Sequence, residues 1–126
     1  MATKRVFIAF AKEDEVTKNL FCGQAKNDTV PYEFTDMSVK EPYSEQWKTK
    51  CRTRIKGCDG MIALVSKNTK NADGELWEIK CGKEEGVKLM GIYIDGATSA
   101  NKPKELEDVL CKEWTWDNVK KFIESL

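Results

Sequence analysis

The sequence predicts an α/β fold in which five parallel strands form one sheet with helices on both faces. Three segments, residues 5–10, 61–65 and 87–94, are almost continuously apolar, which is typical of parallel strands covered on both sides. Helical patterns separate these segments, so strands and helices alternate along the chain. In 126 residues, this alternation favours a single domain, 1–126, with a doubly wound, flavodoxin-like sheet and right-handed crossovers.

Two shorter segments complete the predicted sheet. Residues 32–34 (Tyr-Glu-Phe) are interpreted as an edge strand, and residues 111–114 as another. The predicted order is therefore β-α repeated five times. In such a sheet, ligands bind beyond the carboxyl ends of the strands.

The first two helices are predicted from apolar side chains spaced three and four residues apart. The first begins near Asp14, and its apolar side consists of Val16, Leu20 and Gly23. The second has Pro42 in its first turn and Gly57 at its end, and its apolar side consists of Trp47, Cys51, Ile55 and Cys58.

Three more helices are predicted in the second half of the chain. The third begins at Asp73 or Gly74 and ends at Gly86, with Leu76 and Ile79 on its apolar side. A weaker pattern predicts a helix over 103–110. The last helix begins at a Thr115 cap, and its apolar face consists of Val119, Phe122, Ile123 and Leu126.

The composition excludes several classes of function. The chain has no histidine, so catalytic pairs and zinc sites that need an imidazole are excluded. Its 21 basic and 21 acidic side chains balance, which argues against a nucleic-acid partner. Any chemistry must therefore come from a carboxylate, a thiol, a hydroxyl or a lysine.

The cysteines and the N-terminal residues favour a cytoplasmic protein. Five widely spaced cysteines form no CxxC pair, so neither a disulfide framework nor a metal site is expected. No segment has the apolar length of a membrane span or of a signal-peptide core.

Four loops reach the carboxyl edge of the predicted sheet: 11–14, 35–43, 66–74 and 95–102. None contains a P-loop, and no GxGxxG follows the first strand, which excludes ordinary phosphate-cradle enzymes. The third strand ends at Ser66 without the aspartate that a receiver domain needs. The second loop, residues 35–43, is polar, which suits a solvated connection as well as a ligand-binding loop.

Glu78 is the candidate catalytic residue at this edge. It falls in the first or second turn of the third helix, close to the end of the third strand. Acidic residues also favour helix N-termini for stability alone, so spacing leaves both interpretations open. Trp77 beside it suits a half-buried covering residue as well as a ligand contact.

Five segments, in order, resemble those of TIR domains. They are 6–10 with Glu13-Asp14, 36–42 with Trp47-Lys48, 52–55 with Cys58-Asp59, 62–66 with 67–69, and 77–79 with 84–86. The resemblance extends from about residue 5 to residue 94. Within the TIR family, the chain is similar to the compact bacterial TIR-like group that includes the signal-producing subunit of Thoeris anti-phage defence.

The resemblance implies an activity that the pattern itself does not show. Many TIR domains cleave the nicotinamide–ribose bond of NAD, and those of the Thoeris type form cyclic or modified ADP-ribose signals. It implies that NAD is a substrate rather than a cofactor, that TIR domains self-associate, and that the diffusible product acts on a separate effector. The family's catalytic glutamate lies on the third helix, where Glu78 matches it.

The same resemblance implies a set of substrate-binding residues around Glu78. By analogy the first and second loops bound the dinucleotide, Trp47 supports them from below, and Trp77 shapes the ribose pocket. The set is Phe10, Ala11, Lys12, Asp14, Asp36, Ser38, Trp47, Ser66 and Trp77. Many TIR domains have a serine at the end of the first strand, where this chain has Ala11, so no side-chain hydroxyl is available there.

Two other functions fit the same segments. A non-catalytic TIR interaction module would work by assembly and would need no carboxylate in the crevice. A nucleoside deoxyribosyltransferase-like enzyme shares a doubly wound fold and a catalytic glutamate, but it acts on nucleosides.

Overall fold

The computed structural model, which describes residues 3–25, 32–37 and 39–126, contains one parallel sheet. In the described part of the chain the strand order is β2-β1-β3-β4-β5, and every neighbouring pair is parallel. This confirms the predicted doubly wound α/β fold. The strands are β1 (Lys4–Ala9), β2 (Tyr32–Thr35), β3 (Gly60–Val65), β4 (Lys88–Tyr93) and β5 (Cys111–Glu113).

Four α-helices connect and flank these strands within the described residues. They are α1 (Glu15–Ala25), α2 (Glu45–Lys56), α3 (Asp73–Glu84) and α4 (Trp116–Glu124). Short 3₁₀ turns precede α1 and α3, at Lys12–Asp14 and Thr69–Asn71. Of the described residues, none lies in a helix long and apolar enough to cross a membrane.

The central strands are buried on both faces, as their continuous apolar sequences predicted. Alternate side chains of β1 and β3, such as Ile8 and Ile62, pack with α1 and α4 on one face. The intervening side chains, such as Phe7 and Met61, pack with α2 and α3 on the other face. These two layers fix the position of α3 beneath the carboxyl ends of β1 and β3.

The prediction for the face of α1 was wrong. Val16 and Leu20 are 75% and 63% exposed, whereas Phe21 is fully buried and packs against Phe34 with ring centroids 5.5 Å apart. The buried face also carries Lys18, which forms an ion pair. A helix face can be buried when its polar groups are paired, as well as when it is apolar. The spacing of apolar residues therefore identified the exposed face of α1 as the buried one.

The weaker helix expected over 103–110 is also absent. Only Lys104–Leu106 form a single 3₁₀ turn. Leu106 is buried and Val109 is half-buried against the same layer, but Leu110 is exposed, so little apolar surface is available to hold a longer helix. Short helices depend on such packing because nucleation of a helix is unfavourable.

The start of α2 lies three residues later than the sequence suggested. Ser44 is its N-cap and accepts a hydrogen bond from the backbone of Trp47 at 3.3 Å, so Pro42 lies in the preceding turn and not in the helix. Thr115 caps α4 as expected. The later start of α2 lengthens the loop over 36–44, which lies at the carboxyl edge of the sheet.

We expect Phe21→Ala to lower the free energy of unfolding by about 3–5 kcal/mol, because it removes a fully buried ring. Leu20→Ala, on the same helix, should change it by no more than about 0.5 kcal/mol. Urea unfolding of the two variants measures the difference. A larger loss for Leu20→Ala would contradict the orientation of α1.

Candidate functional site

Glu78 lies in the second turn of α3 and is completely buried. Its side chain is 0% exposed, at the edge of the layer formed by α2, α3 and the carboxyl end of β1. A carboxylate removed from water in this way must be compensated by hydrogen bonds or an opposite charge. The neighbouring loops supply both.

Lys40 provides the compensating charge. Its ammonium group donates to both carboxylate oxygens of Glu78, at 2.9 Å to Oε1 and 2.7 Å to Oε2. The lysine side chain is only 5% exposed. Such charge-assisted hydrogen bonds are the strong ones among protein side chains, and this pair holds the loop over 36–44 against α3.

The same ammonium group lies over an aromatic ring. Lys40 Nζ is 3.9 Å from the centroid of the Phe10 ring, well within the range of a cation–π contact. Phe10 follows β1 directly and is fully buried. The Lys40 ammonium is therefore stabilised both by the Phe10 ring and by the Glu78 carboxylate.

The pKa of Glu78 reflects the opposing effects of burial and of its pairing with Lys40. Burial raises the pKa of Glu78 to about 7, although the charge and hydrogen bonds of Lys40 act in the opposite direction. The negative charge of Asp36 raises the pKa further, and a hydrogen bond from the backbone of Phe10 lowers it. The pKa of this carboxyl group therefore lies close to neutral pH, as is common for groups at functional sites.

Several contacts hold the lysine and its loop in place. The indole nitrogen of Trp47 donates to the carbonyl of Val39 at 2.6 Å, and Arg54 donates to the carbonyl of Asp36 at 2.5 Å. The stem of Lys40 lies on Gly74, where an added Cβ would come within 3.0 Å of the lysine Cβ. The glycine at the start of α3 therefore makes room for the lysine.

A second ion pair flanks Phe10. Lys18 from α1 lies 3.2 Å from the carboxylate of Asp36, and its ammonium group is 4.9 Å from the Phe10 ring centroid. Two lysines, each beside a carboxylate, thus approach one aromatic ring. The end of β1 joins both pairs into one site.

A separate hydrogen-bonded group ties the first loop to the third. Ser66 and Asn68 donate to the two carboxylate oxygens of Asp14, at 2.5 and 2.9 Å. Thr69 accepts from the backbone of Ser66 and donates to the carbonyl of Leu64. This network is buried or half-buried and fixes the turn that leads into α3.

Glu75 lies between this network and the Lys40–Glu78 pair. It is fully buried, and neither of its carboxylate oxygens accepts a hydrogen bond. Burial raises the pKa of Glu75 well above its usual range, although the nearby Thr69 hydroxyl acts in the opposite direction, and the charge of Glu78 raises it further. We therefore expect a neutral carboxylic acid at Glu75 beside the charged pair.

The structure brings only some of the expected site residues together. Phe10 and Asp36 lie with Lys40 and Glu78, with Trp47 beneath their loop. Asp14 and Ser66 form the second group, and the carbonyl of Ala11 accepts from the backbone of Asp14 at 2.8 Å.

Three residues of the expected set are exposed, packed elsewhere or outside the described residues. Lys12 is exposed. Trp77 packs edge-on against Trp47 and beneath Arg52, between α2 and α3. Ser38 lies outside the described residues.

Sequence reasoning missed Lys40 and Glu75. Glu75 precedes Glu78 by three residues, so the two share a helix face, and this spacing was available from the sequence. Lys40 lies in a polar loop among residues of both charges. No local pattern indicates that such a lysine is buried, because its burial depends on contacts with α3 and β1.

One thiol lies close to the Glu78 carboxylate. Cys51 Sγ lies 4.0 Å from Glu78 Oε2, but burial raises the pKa of this thiol far above neutrality, so it stays protonated and unreactive. The described residues contain no group of three or more side chains suited to a metal ion.

The sequence matches the model of one protein family. Residues 7–99 match the family described as Thoeris protein ThsB, TIR-like domain. This region contains the Phe10, Lys40 and Glu78 site. Among curated proteins, a search found no match.

Solved structures share the fold at low sequence identity. A prokaryotic SEFIR domain is 12% identical, with a TM-score of 0.57 over 98% of this chain and 95% of that one. The TIR domains of the activated Roq1 resistosome are 15% identical, with a TM-score of 0.55 over 98% and 81%. The Clostridium botulinum CMP N-glycosidase BcmB is 22% identical, with a TM-score of 0.50 over 97% of both chains.

We expect Glu75→Gln to flatten the dependence of stability on pH. A carboxyl group that keeps its proton when folded and loses it when unfolded favours the unfolded chain as pH rises. Because the pKa of Glu75 is raised above 4.5 and that of Glu78 to about 7, the wild type should lose stability from about pH 4.5 upward. Each group contributes roughly 1 kcal/mol per pH unit.

Urea unfolding between about pH 5 and 7 measures this slope. Glu75→Gln should remove the contribution of one proton, whereas Glu84→Gln, at a residue on α3 that is 63% exposed, should leave the slope unchanged. Equal slopes for wild type and Glu75→Gln would show that Glu75 is ionised in the folded protein.

Proposed function

This chain belongs to the Thoeris protein ThsB, TIR-like domain family, and from this premise we propose that it cleaves the nicotinamide–ribose bond of NAD. Glu78 is the proposed catalytic residue. The proposed products are nicotinamide and a cyclic or otherwise modified ADP-ribose that serves as a signal in anti-phage defence.

One observation carries the proposal: a buried carboxylate holds a positive charge against an aromatic ring. The Lys40 ammonium lies 2.7 Å from Glu78 Oε2 and 3.9 Å from the Phe10 ring centroid. The nicotinamide ring of NAD is cationic, and the ribose carbon becomes cationic as its bond to nicotinamide breaks. A site that stabilises a cation is therefore suited to both the substrate and the transition state.

The reaction needs little proton transfer. When the glycosidic bond breaks, its electron pair moves to the ring nitrogen and neutralises the pyridinium, so no acid has to protonate the leaving group. The ribose carbon acquires oxocarbenium character, as in glycoside cleavage. The Glu78 carboxylate would stabilise this charge and accept hydrogen bonds from ribose hydroxyls.

The surrounding residues have supporting roles in this proposal. Asp36 and the backbone at Ala11 would contact the dinucleotide at the carboxyl edge, and Trp47 would hold the loop over 36–44 through its bond to Val39. The network around Asp14 and Ser66 would keep the start of α3 in place. Water, or a nucleophile of the same or another molecule, would then take the ADP-ribosyl group.

The remaining expectations extend beyond the site. The proposed signal diffuses to a separate effector protein, and self-association of TIR domains assembles the active form. A cytoplasmic location fits a substrate that is a soluble nucleotide. The balanced net charge fits a small molecule better than a nucleic acid.

A nucleotide N-glycosidase is the second candidate function. It is favoured by the likeness to a CMP N-glycosidase, which covers 97% of both chains. Such an enzyme also forms an oxocarbenium-like transition state beside a carboxylate. Its leaving base is neutral, however, and has to be protonated as it departs. The raised pKa of Glu75, which keeps a proton close to Glu78, is compatible with that need.

We expect Glu78→Gln to abolish nicotinamide release from NAD, with a loss of at least about 100-fold, because the amide has no charge to stabilise the transition state. Purified protein is incubated with NAD, with and without lysate from phage-infected cells, and products are separated by chromatography. Glu84→Gln is the matched control on the same helix and should keep wild-type activity.

Full turnover by Glu78→Gln would contradict the catalytic assignment. Absence of turnover under every activating condition, in a folded protein, would favour a non-catalytic assembly module instead.

The same assay separates the two enzyme classes. With NAD as the proposed substrate, CMP and deoxynucleosides should release free base at less than about one hundredth of the rate of nicotinamide release. Base release from CMP or a deoxynucleoside without cleavage of NAD would establish the second candidate.

A further inference from the structure

The cation site between Phe10 and Glu78 is filled by a residue of the chain itself. Lys40 Nζ contacts both oxygens of Glu78, and the Phe10 ring lies 3.9 Å away. With Lys40 5% exposed and Glu78 0% exposed, no other molecule can contact the carboxylate while the lysine is in place. Any ligand of Glu78 must therefore replace the ammonium group.

We propose that Lys40 is an internal competitor of the substrate, and that its ammonium group occupies the position taken by the substrate's cationic ring or ribosyl cation. This inference rests on the proposed function, because it assigns the charged part of the substrate to the Phe10–Glu78 site. The ligand class that follows is an N-substituted pyridinium or a similar flat, singly charged ring.

Charge selects this class of ligand. If a neutral group replaced Lys40, the Glu78 carboxylate would be left buried without a counter-charge, which is strongly unfavourable. A cationic ring restores the charge and places a flat face on the Phe10 ring. Replacing the lysine ammonium with a cationic ring therefore changes the free energy little. Replacing it with a neutral analogue of the same shape is unfavourable.

Replacement of the Lys40 ammonium by a ligand requires movement of one side chain rather than of a whole helix or strand. The backbone before Lys40 is held through the carbonyls of Asp36 and Val39, so the loop can stay on α2 while the flexible lysine stem swings away. The stem packs against Gly74, whose lack of a side chain leaves room for the lysine. Lys18 differs, because its ammonium pairs with Asp36 and not with Glu78.

Competition of this kind has a measurable consequence. The apparent dissociation constant equals the intrinsic constant divided by the fraction of molecules in which the site is open. If Lys40 leaves the site in about a tenth of molecules or fewer, removing it should tighten cation binding at least about tenfold.

Binding of 1-methylnicotinamide, a permanent cation that cannot be cleaved, tests the inference, with neutral nicotinamide as the matched probe. Because Lys40 lowers the pKa of Glu78, its removal raises that pKa, so binding is measured over a series of pH values from about 8 upward. At the pH where Glu78 is ionised, Lys40→Met should bind the cation at least about tenfold more tightly than wild type. Lys120→Met, at an exposed lysine on α4, should match wild type. Nicotinamide affinity should be the same in all three proteins. Isothermal titration calorimetry measures each value.

A second variant covers the case in which Lys40→Met does not fold, since it leaves Glu78 without its partner. In Gly74→Ala the new methyl group crowds the stem of Lys40. It therefore destabilises the packed position of the lysine without changing any charge. It should also bind 1-methylnicotinamide more tightly than wild type. Circular dichroism verifies the fold of each variant.

The inference is overturned if folded Lys40→Met or Gly74→Ala gains no affinity, or if nicotinamide gains as much as the cation. Its failure differs from failure of the proposed function. Cleavage of NAD by the wild type without any gain in cation binding would reject only the role of Lys40. A gain in cation binding without cleavage of NAD would reject only the proposed activity.

Discussion

Complete burial of the Glu78 carboxylate is the constraint on which the site depends. A charge without access to water must be paired and hydrogen-bonded, and Lys40 meets both requirements through two short contacts. This pair holds the loop over 36–44 against α3, and Gly74 is needed because the lysine stem lies on it. The anchors at Trp47 and Arg54 act on the same loop. The buried ion pair, the glycine at the start of α3 and the anchored loop therefore support one another.

Two buried carboxyl groups share a single nearby counter-charge, and this divides their roles. Glu78 pairs with Lys40, so its charged form is supported, whereas Glu75 three residues earlier accepts no well-formed hydrogen bond and has the Thr69 hydroxyl close by. Burial and the charge of Glu78 then favour the protonated form of Glu75. Ionising both would place two negative charges in one apolar layer. The helix face thus carries one group suited to holding a cation and one suited to holding a proton.

The sequence predicts those parts of the molecule that are determined locally. The strands at 5–10, 61–65 and 87–94 were recognisable because a parallel strand buried on both faces is apolar throughout. The exposed side of α1 was misassigned because Lys18 is buried by pairing with a distant aspartate. Glu78 was found from its position on α3, but Lys40 was not, since its burial results from contacts with residues 30 or more positions away in the chain. Long-range ion pairs of this kind leave no periodic pattern to read.

The proposed chemistry is compatible both with a sequence that has no histidine and with the form of the site. Imidazole is the usual proton carrier near neutral pH, so a chain without it favours a reaction in which the leaving group departs without being protonated. A pyridinium meets that condition, because bond cleavage neutralises it. The site supplies what such a reaction does need, namely a carboxylate and an aromatic face on either side of a positive charge. A buried lysine in that position lowers the pKa of the Glu78 carboxyl group against the effect of burial. In the proposed reaction a cationic substrate would take over this role, so that the substrate's own charge would favour the ionised form of the catalytic carboxylate.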